Sequence, residues 1–133
     1  MDRQQGAGRD HCLCGSGRMA AQCCLPLLAG RAVAQSAEAL MRSRYTAFAC
    51  GDTAYLLRSW HVSTRPPWLT LETGQKWIAL EIKRHTVQDA THAQVEFVAR
   101  YRVRGRGGRL HETSRFVREN GQWLYVNGEV RTG

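Results

Sequence analysis

No stretch of this chain approaches the ~20 consecutive apolar residues needed to cross a bilayer. The run Leu25 to Ala29 is short and contains Pro26. Met1 to Asp10 is charged and glycine-rich and lacks the apolar segment of a secretory signal, so it reads as a disordered lead. A cytoplasmic protein without membrane association is expected. Lysine is nearly absent: 17 of the 19 basic residues are arginines, opposed by 11 acidic ones, for a net charge of +8. That balance permits contact with nucleic acid, anionic lipid or an acidic protein. The charges are dispersed along the chain, however, which favours a solvated surface. Proline is scarce, with three residues, and the adjacent pair Pro66-Pro67 excludes regular helix or central strand there. There is no internal repeat.

What is present is a 43% apolar chain of 133 residues, long enough for one globular domain with a small appendage. Cysteine is concentrated: Cys12, Cys14, Cys23 and Cys24 fall within thirteen residues, as C-x-C and C-C pairs eight residues apart. This spacing lets a loop fold back and present four sulfurs to one centre. Four thiolates hold Zn²⁺ tetrahedrally at about 2.3 Å and leave no position for water or substrate. Gly15 and Gly17 permit the sharp turn, Ser16 could cap a short returning helix, and Pro26 could end it. Two disulfides or plain buried thiols are the alternatives, and a reducing compartment disfavours the first. His11 could replace one thiolate, although four cysteines already complete the shell. One structural zinc ion is expected, in a module spanning residues 1–28 that depends on its metal and stands apart from the main core.

The run CLCGSGRMAAQCC resembles the SEC-C zinc motif, C-x-C-x₈-C-[HC], known at the C-terminus of the bacterial preprotein-translocase ATPase. The further runs SAEALMRSRYTAF, SWHVSTRP, VEFVARYR, LHETSRF and GQWLYVNGE are similar to the YchJ-like family of uncharacterised bacterial proteins, from Cys12 to Glu129. The resemblance implies a SEC-C motif followed by a cone-shaped α+β domain of the nuclear-transport-factor-2-like type. It brings no established activity. In the translocase ATPase the motif docks an acidic chaperone surface, and the resemblance implies a similar mode here.

The main domain, residues 33–133, reads as two helices followed by a four-stranded meander. Ser36 is a helix N-cap with Glu38 in the first turn, and Ala37, Leu40, Met41, Tyr45 and Phe48 recur at helical spacing. Gly51 ends that helix, Asp52 caps a shorter one through Leu56, Leu57 and Trp60, and Cys50 is expected as a small buried hydrophobe. Beyond Thr70 the period changes to two. Strands are predicted around Ile78–Ile82, Val95–Val103, Leu110–Arg118 and Gln122–Val126. Asp89 to His92 closes the first hairpin, Arg104 to Arg109 forms a six-residue connection with Val103 facing Leu110, and Asn120-Gly121 makes a tight turn. Ile78, Leu80, Ile82, Val95, Phe97, Tyr101, Phe116, Trp123 and Tyr125 are assigned to the core face. The expected architecture is α+β: a short zinc-binding module, then a cone with two helices on a curved four-stranded antiparallel sheet.

Tyr45, Trp60, His61, Arg65, Tyr101, Glu112, Trp123 and Tyr125 suit the lining of a pocket in the cone. Glu112 and His61 could form an acid–base set with Tyr101 donating, or Arg65 could pair with Glu112 while the aromatics fill the core. No spacing among them is diagnostic, and no residue is assigned as catalytic. Arg102, Arg104, Arg106 and Arg109 alternate with glycines, and Arg100 and Arg115 extend the patch; it could grip phosphates but carries no aromatic to stack bases. The expected role is a non-enzymatic adaptor that meets an acidic protein surface. A small-molecule enzyme or ligand-binding protein using the cone, and a nucleic-acid-associated protein without sequence specificity, are the alternatives.

Overall fold

The computed structural model of the chain describes residues 10–131. The lead assigned to Met1–Asp10 falls outside that range except for Asp10. From the N-terminus, a 3-10 turn at Ala20–Gln22 precedes helices α1 (Cys24–Leu28), α2 (Ala37–Cys50) and α3 (Thr53–Arg58), then strands β1 (Gln75–Asp89), β2 (His92–Val103), β3 (Arg106–Glu119) and β4 (Gln122–Val130). The strands form one antiparallel sheet in sequence order. Among the described residues, no helix is long and apolar enough to cross a membrane.

Local chemistry explains the helix boundaries. Ser36 Oγ accepts from the Ala39 amide at 3.0 Å, and Asp52 Oδ1 accepts from the Tyr55 amide at 3.0 Å, each satisfying an otherwise orphaned N–H. Gly51 closes α2 in the left-handed conformation. Burial on α2 is wider than the expected apolar stripe, because Ser43, Arg44, Thr46 and Ala47 are buried as well. The sheet, the cysteine segment and α3 each cover part of the helix, so its polar side chains need internal partners. Ser43 donates to the Leu40 carbonyl at 2.7 Å and is bonded to the Tyr55 hydroxyl at 2.6 Å. Cys50, by contrast, is exposed, not buried as expected, since it lies at the helix end beyond these covering elements.

The tight turn expected at Asn120-Gly121 is present and places Arg118 opposite Trp123 and Phe116 opposite Tyr125. The middle connection is shorter than the sequence indicated. Arg104 and Gly105 both take positive φ, 53° and 79°, and form a two-residue turn with Val103 opposite Arg106. Leu110 therefore faces Ala99, and Arg106 and Arg109 belong to β3.

The first strand also departs from simple alternation. The β1–β2 register shifts between Trp77 and Ala79, which leaves Ile78 unpaired and 53% exposed. One extra residue at a bulge reverses the facing of everything before it. Trp77, rather than Ile78, thus reaches the aromatic cluster of the cone, edge-on to Tyr45 at 5.9 Å and to Tyr101 at 5.4 Å.

Leu80, Val95, Phe97, Phe116 and Trp123 form the cone core with Leu40, Met41 and Tyr45. Cys12, Cys14 and Cys24 join the same cluster, so the expected separation between the cysteine module and the main core does not hold. The returning loop packs on α2 and β1 and has no core of its own to bury its apolar atoms in.

Trp123→Ala should cost roughly 3–5 kcal/mol. Ile78→Thr and Arg106→Ala, both at exposed positions, should each change stability by less than about 0.5 kcal/mol. Urea denaturation of the three variants checks this, and an equal loss at Ile78 and Trp123 would contradict the bulge.

Candidate metal centre and cone cavity

Short backbone bonds shape the cysteine loop. The Cys12 amide donates to the Arg18 carbonyl at 2.8 Å, the Gly15 amide to the Cys12 carbonyl at 3.1 Å, and the Ala20 amide to the Asp10 carbonyl at 2.8 Å. Gly15 sits at φ 79°, and a side chain there would press on the Leu80 carbonyl oxygen of β1, 3.3 Å from the added carbon. Both the turn and the close seating of the loop therefore require glycine. Ser16 does not cap a helix. Its Oγ accepts from the Arg18 amide at 3.1 Å and lies 3.2 Å from Cys23 Sγ, so it closes the turn beside a sulfur. Pro26 does not end the returning helix either; it occupies the first turn of α1, where a missing N–H leaves no bond unmade.

This loop gathers the four sulfurs of Cys12, Cys14, Cys23 and Cys24 within 4.8 Å of one another. Cys14 and Cys23 are separated by 3.6 Å, and Cys23 and Cys24 by 3.9 Å, sulfur to sulfur. A tetrahedral ion with metal–sulfur bonds of about 2.3 Å spaces its ligands by about 3.8 Å. A disulfide would bring two sulfurs to about 2.05 Å, and all five cysteines are free. The set fits a metal ion in both donor type and spacing. His11 is exposed and outside the cluster, leaving the shell all-sulfur.

Cys12, Cys14 and Cys24 are buried, while Cys23 is half-exposed. Without a cation the sulfurs share protons unevenly: hydrogen bonding from Cys14 and Cys24 pulls the Cys12 thiol down, and the contact with Cys12 pushes Cys24 up. A divalent ion removes that conflict by binding all four as thiolates.

Arg42 ties this loop to α2. Its Nη1 donates to the Cys14 carbonyl at 2.8 Å and its Nε to Glu38 Oε2 at 3.0 Å. Burial acts to lower its pKa, but the bonds to Glu38 and Cys14 outweigh that and the net shift is upward. The sequence reading missed Arg42; the Glu38–Arg42 spacing of four signals the ion pair, but nothing local signals the reach to Cys14.

Within the cone lies a cavity of about 170 Å³. Tyr45, Trp60, Glu112 and Tyr125 line it, together with Arg44, Phe48 and Trp77. His61, Arg65, Tyr101 and Trp123 lie outside the lining. His61 Nε2 meets Glu119 Oε2 at 2.7 Å and its Nδ1 meets Ser63 Oγ at 2.7 Å, so Glu112, His61 and Tyr101 are not assembled into an acid–base set. Arg65 Nε donates to the Trp60 carbonyl at 2.9 Å, not to Glu112. Tyr101 packs over Gly108, and Trp123 is buried in the core. The cation that the cone encloses is instead Arg44, which the sequence reading overlooked although it follows Met41 by three and precedes Phe48 by four on the same helical stripe.

Arg100, Arg102 and Arg109 border a shallow groove on the outer face of the sheet with Ile78 and the glycines 107 and 108. Arg100 and Arg109 are directly opposite across β2 and β3, Arg104 sits in the turn, and Arg106 faces Val103. Arg115 is drawn aside, with Nη1 donating to Asn127 Oδ1 at 3.0 Å.

A four-cysteine knuckle seated on a cone of helices and antiparallel sheet defines a SEC-C motif joined to a domain of the nuclear-transport-factor-2-like class. Residues 36–128 match the family model "YchJ, middle NTF2-like domain", and the chain belongs to that family. A UPF0225 protein of Ralstonia nicotianae is 53% identical over 133 residues, covering 90% of both chains. Another, of Cupriavidus metallidurans, is 52% identical, covering 95% of this chain and 93% of its own. A SEC-C motif containing protein from Rhodopseudomonas palustris, solved in solution, superposes with a TM-score of 0.81 at 32% identity, over 91% of this chain and 98% of that one. The crystal structure of such a protein from Psychrobacter arcticus shares the fold, with a TM-score of 0.78 at 24% identity over 96% and 86% of the two chains.

Titration of the metal-free, reduced chain with Co²⁺ should saturate at one equivalent and give the absorption of a tetrahedral, all-thiolate ion. Cys24→Ser should abolish or strongly weaken that spectrum, while Cys50→Ser should leave it unchanged. Loss of the signal in both variants would contradict the four-ligand assignment.

Proposed function

We propose that the protein is a non-enzymatic adaptor whose N-terminal knuckle holds one structural Zn²⁺ and docks an acidic protein surface. A closed four-thiolate shell offers no position for chemistry, so its use is to fix a small surface in one shape at low entropic cost. Zinc is the ion that best suits four thiolates in a tetrahedral shell under reducing conditions.

The observation that carries the docking role is the open groove beside the half-exposed Cys23, bordered by Arg18 and Arg42. Four thiolates and a divalent ion leave a formal charge of −2, and Arg42, paired with Glu38, adds no net positive charge at close range. Arg18 is exposed on the rim, where a carboxylate of a partner would meet it. Arg31 is exposed beyond α1 and adds to the positive surface. The SEC-C resemblance supports the same mode of binding.

Arg18→Glu should slow association with an acidic partner several-fold and remove most of its salt sensitivity, with metal content unchanged. Capture of partners by full-length wild type and variant at low and high salt, read beside zinc content, checks this. Equal capture by both would reduce the knuckle to a staple that only orders the N-terminus.

A further inference from the structure

The cone cavity is independent of the docking role and has a defined chemistry of its own. Its volume, about 170 Å³, is close to the roughly 150 Å³ of an engineered apolar cavity that accepts benzene. One ring fits; two fused rings do not. Tyr45, Phe48, Trp60, Trp77 and Tyr125 give it aromatic walls.

Two charged groups interrupt that apolar lining. Arg44 is 3% exposed. Its Nη1 donates to the Leu56 carbonyl at 2.8 Å and to Ser59 Oγ at 2.7 Å, and among the described residues its Nε and Nη2 meet no acceptor. The guanidinium lies over the rings of Tyr125 and Trp60, at 4.4 Å and 5.2 Å from their centroids. Burial lowers its pKa to about 10, which still leaves it cationic at neutral pH.

Glu112 is the second group, and its position is constructed. Ser114 Oγ donates to Oε2 at 2.7 Å. Across the strand pair, Gly128 leaves the space the carboxylate fills, and a methyl group there would overlap it. Glu112 acts on Arg44 through the field across the cavity, without ion-pair contact.

We propose that this cavity binds a small, neutral, single-ring compound carrying both a hydrogen-bond acceptor and an N–H donor, a cyclic amide or equivalent heteroaromatic, with its acceptor on Arg44 and its donor on Glu112. Charge selects against the other classes. An anion would satisfy Arg44 but face the Glu112 carboxylate, and a cation would do the reverse. A purely apolar ring would match the walls but displace water from the remaining Arg44 donors and Glu112 lone pairs without replacing its bonds. The neutral donor–acceptor ring meets both, while the aromatic walls stack on its faces.

The test uses the full metal-loaded chain and four single-ring probes: 2-pyridone, benzoate, benzylammonium and toluene. Binding is followed through the indole N–H signals in NMR spectra. Trp60 and Trp77 line the cavity and should shift on saturation, whereas Trp68 and Trp123 should not. 2-Pyridone should bind about tenfold or more tightly than each of the other three. Ala99→Leu, which fills the cavity, should abolish binding. Glu112→Gln should erase the preference over benzoate by removing the repelling charge. Should that variant fail to fold, the wild-type ranking decides alone. No saturable shift with 2-pyridone, shifts confined to Trp68 or Trp123, or equal or tighter binding of any other probe would overturn the proposal.

Discussion

Four clustered sulfurs, three of them buried against a helix, impose the constraint on which the rest of the structure depends. Cys14 and Cys24 are almost wholly enclosed, and Cys12 packs beside the Thr46 hydroxyl at 3.8 Å. Four adjacent thiols in a low-dielectric setting cannot all ionise unless a cation sits among them, and cannot all be satisfied as thiols by one another. The spacing suits a tetrahedral ion, and Arg42 ties the loop to α2 by donating to the Cys14 carbonyl. The loop therefore does more than decorate the N-terminus. It covers one side of α2 and touches β1 at Leu80, and its sulfurs share a core with Val95, Phe97 and Phe116.

The cavity side of α2 is built on different principles. Arg44 enters the apolar interior on the stripe of Met41, Tyr45 and Phe48 and is held by the end of α3, through Leu56 and Ser59. The chain then runs beside β4, with the His61 amide bonded to the Tyr125 carbonyl at 2.7 Å and the Tyr125 amide to the Ser59 carbonyl at 2.9 Å. That pairing fixes Trp60 edge-on to Tyr125 at 5.0 Å and sets two walls of the cavity. A buried guanidinium is costly unless its charge and donors are met, and here two aromatic faces and two oxygens meet part of that need.

Much of this was legible in the sequence. The cysteine spacing identified the sulfur cluster, Ser36, Gly51 and Asp52 marked the helix ends, and Asn120-Gly121 fixed a hairpin whose register the structure reproduces. What escaped has physical reasons. Glycines at 105, 107 and 108 offered several turns, and the one used requires Arg104 at positive φ, which composition does not announce. The bulge at Ile78 leaves no mark in a strand where apolar residues stand on both sides of it. The side chains that converge on the cavity come from α2, from Trp60 just beyond α3 and from all four strands, and a linear pattern carries no record of which of them meet. His61 and Glu112 had suitable chemistry for one site, but the chain sends His61 to Glu119 instead.

The central claim is that the metal knuckle and the cone are one cooperative unit. Native-state hydrogen exchange, run on the metal-loaded chain and after chelation, tests it most directly. The account predicts that removing the metal lowers protection through the cysteine loop and also along α2 and the middle of β1, near Leu80. Loss of protection confined to residues 10–28, with α2 and β1 unchanged, would contradict it.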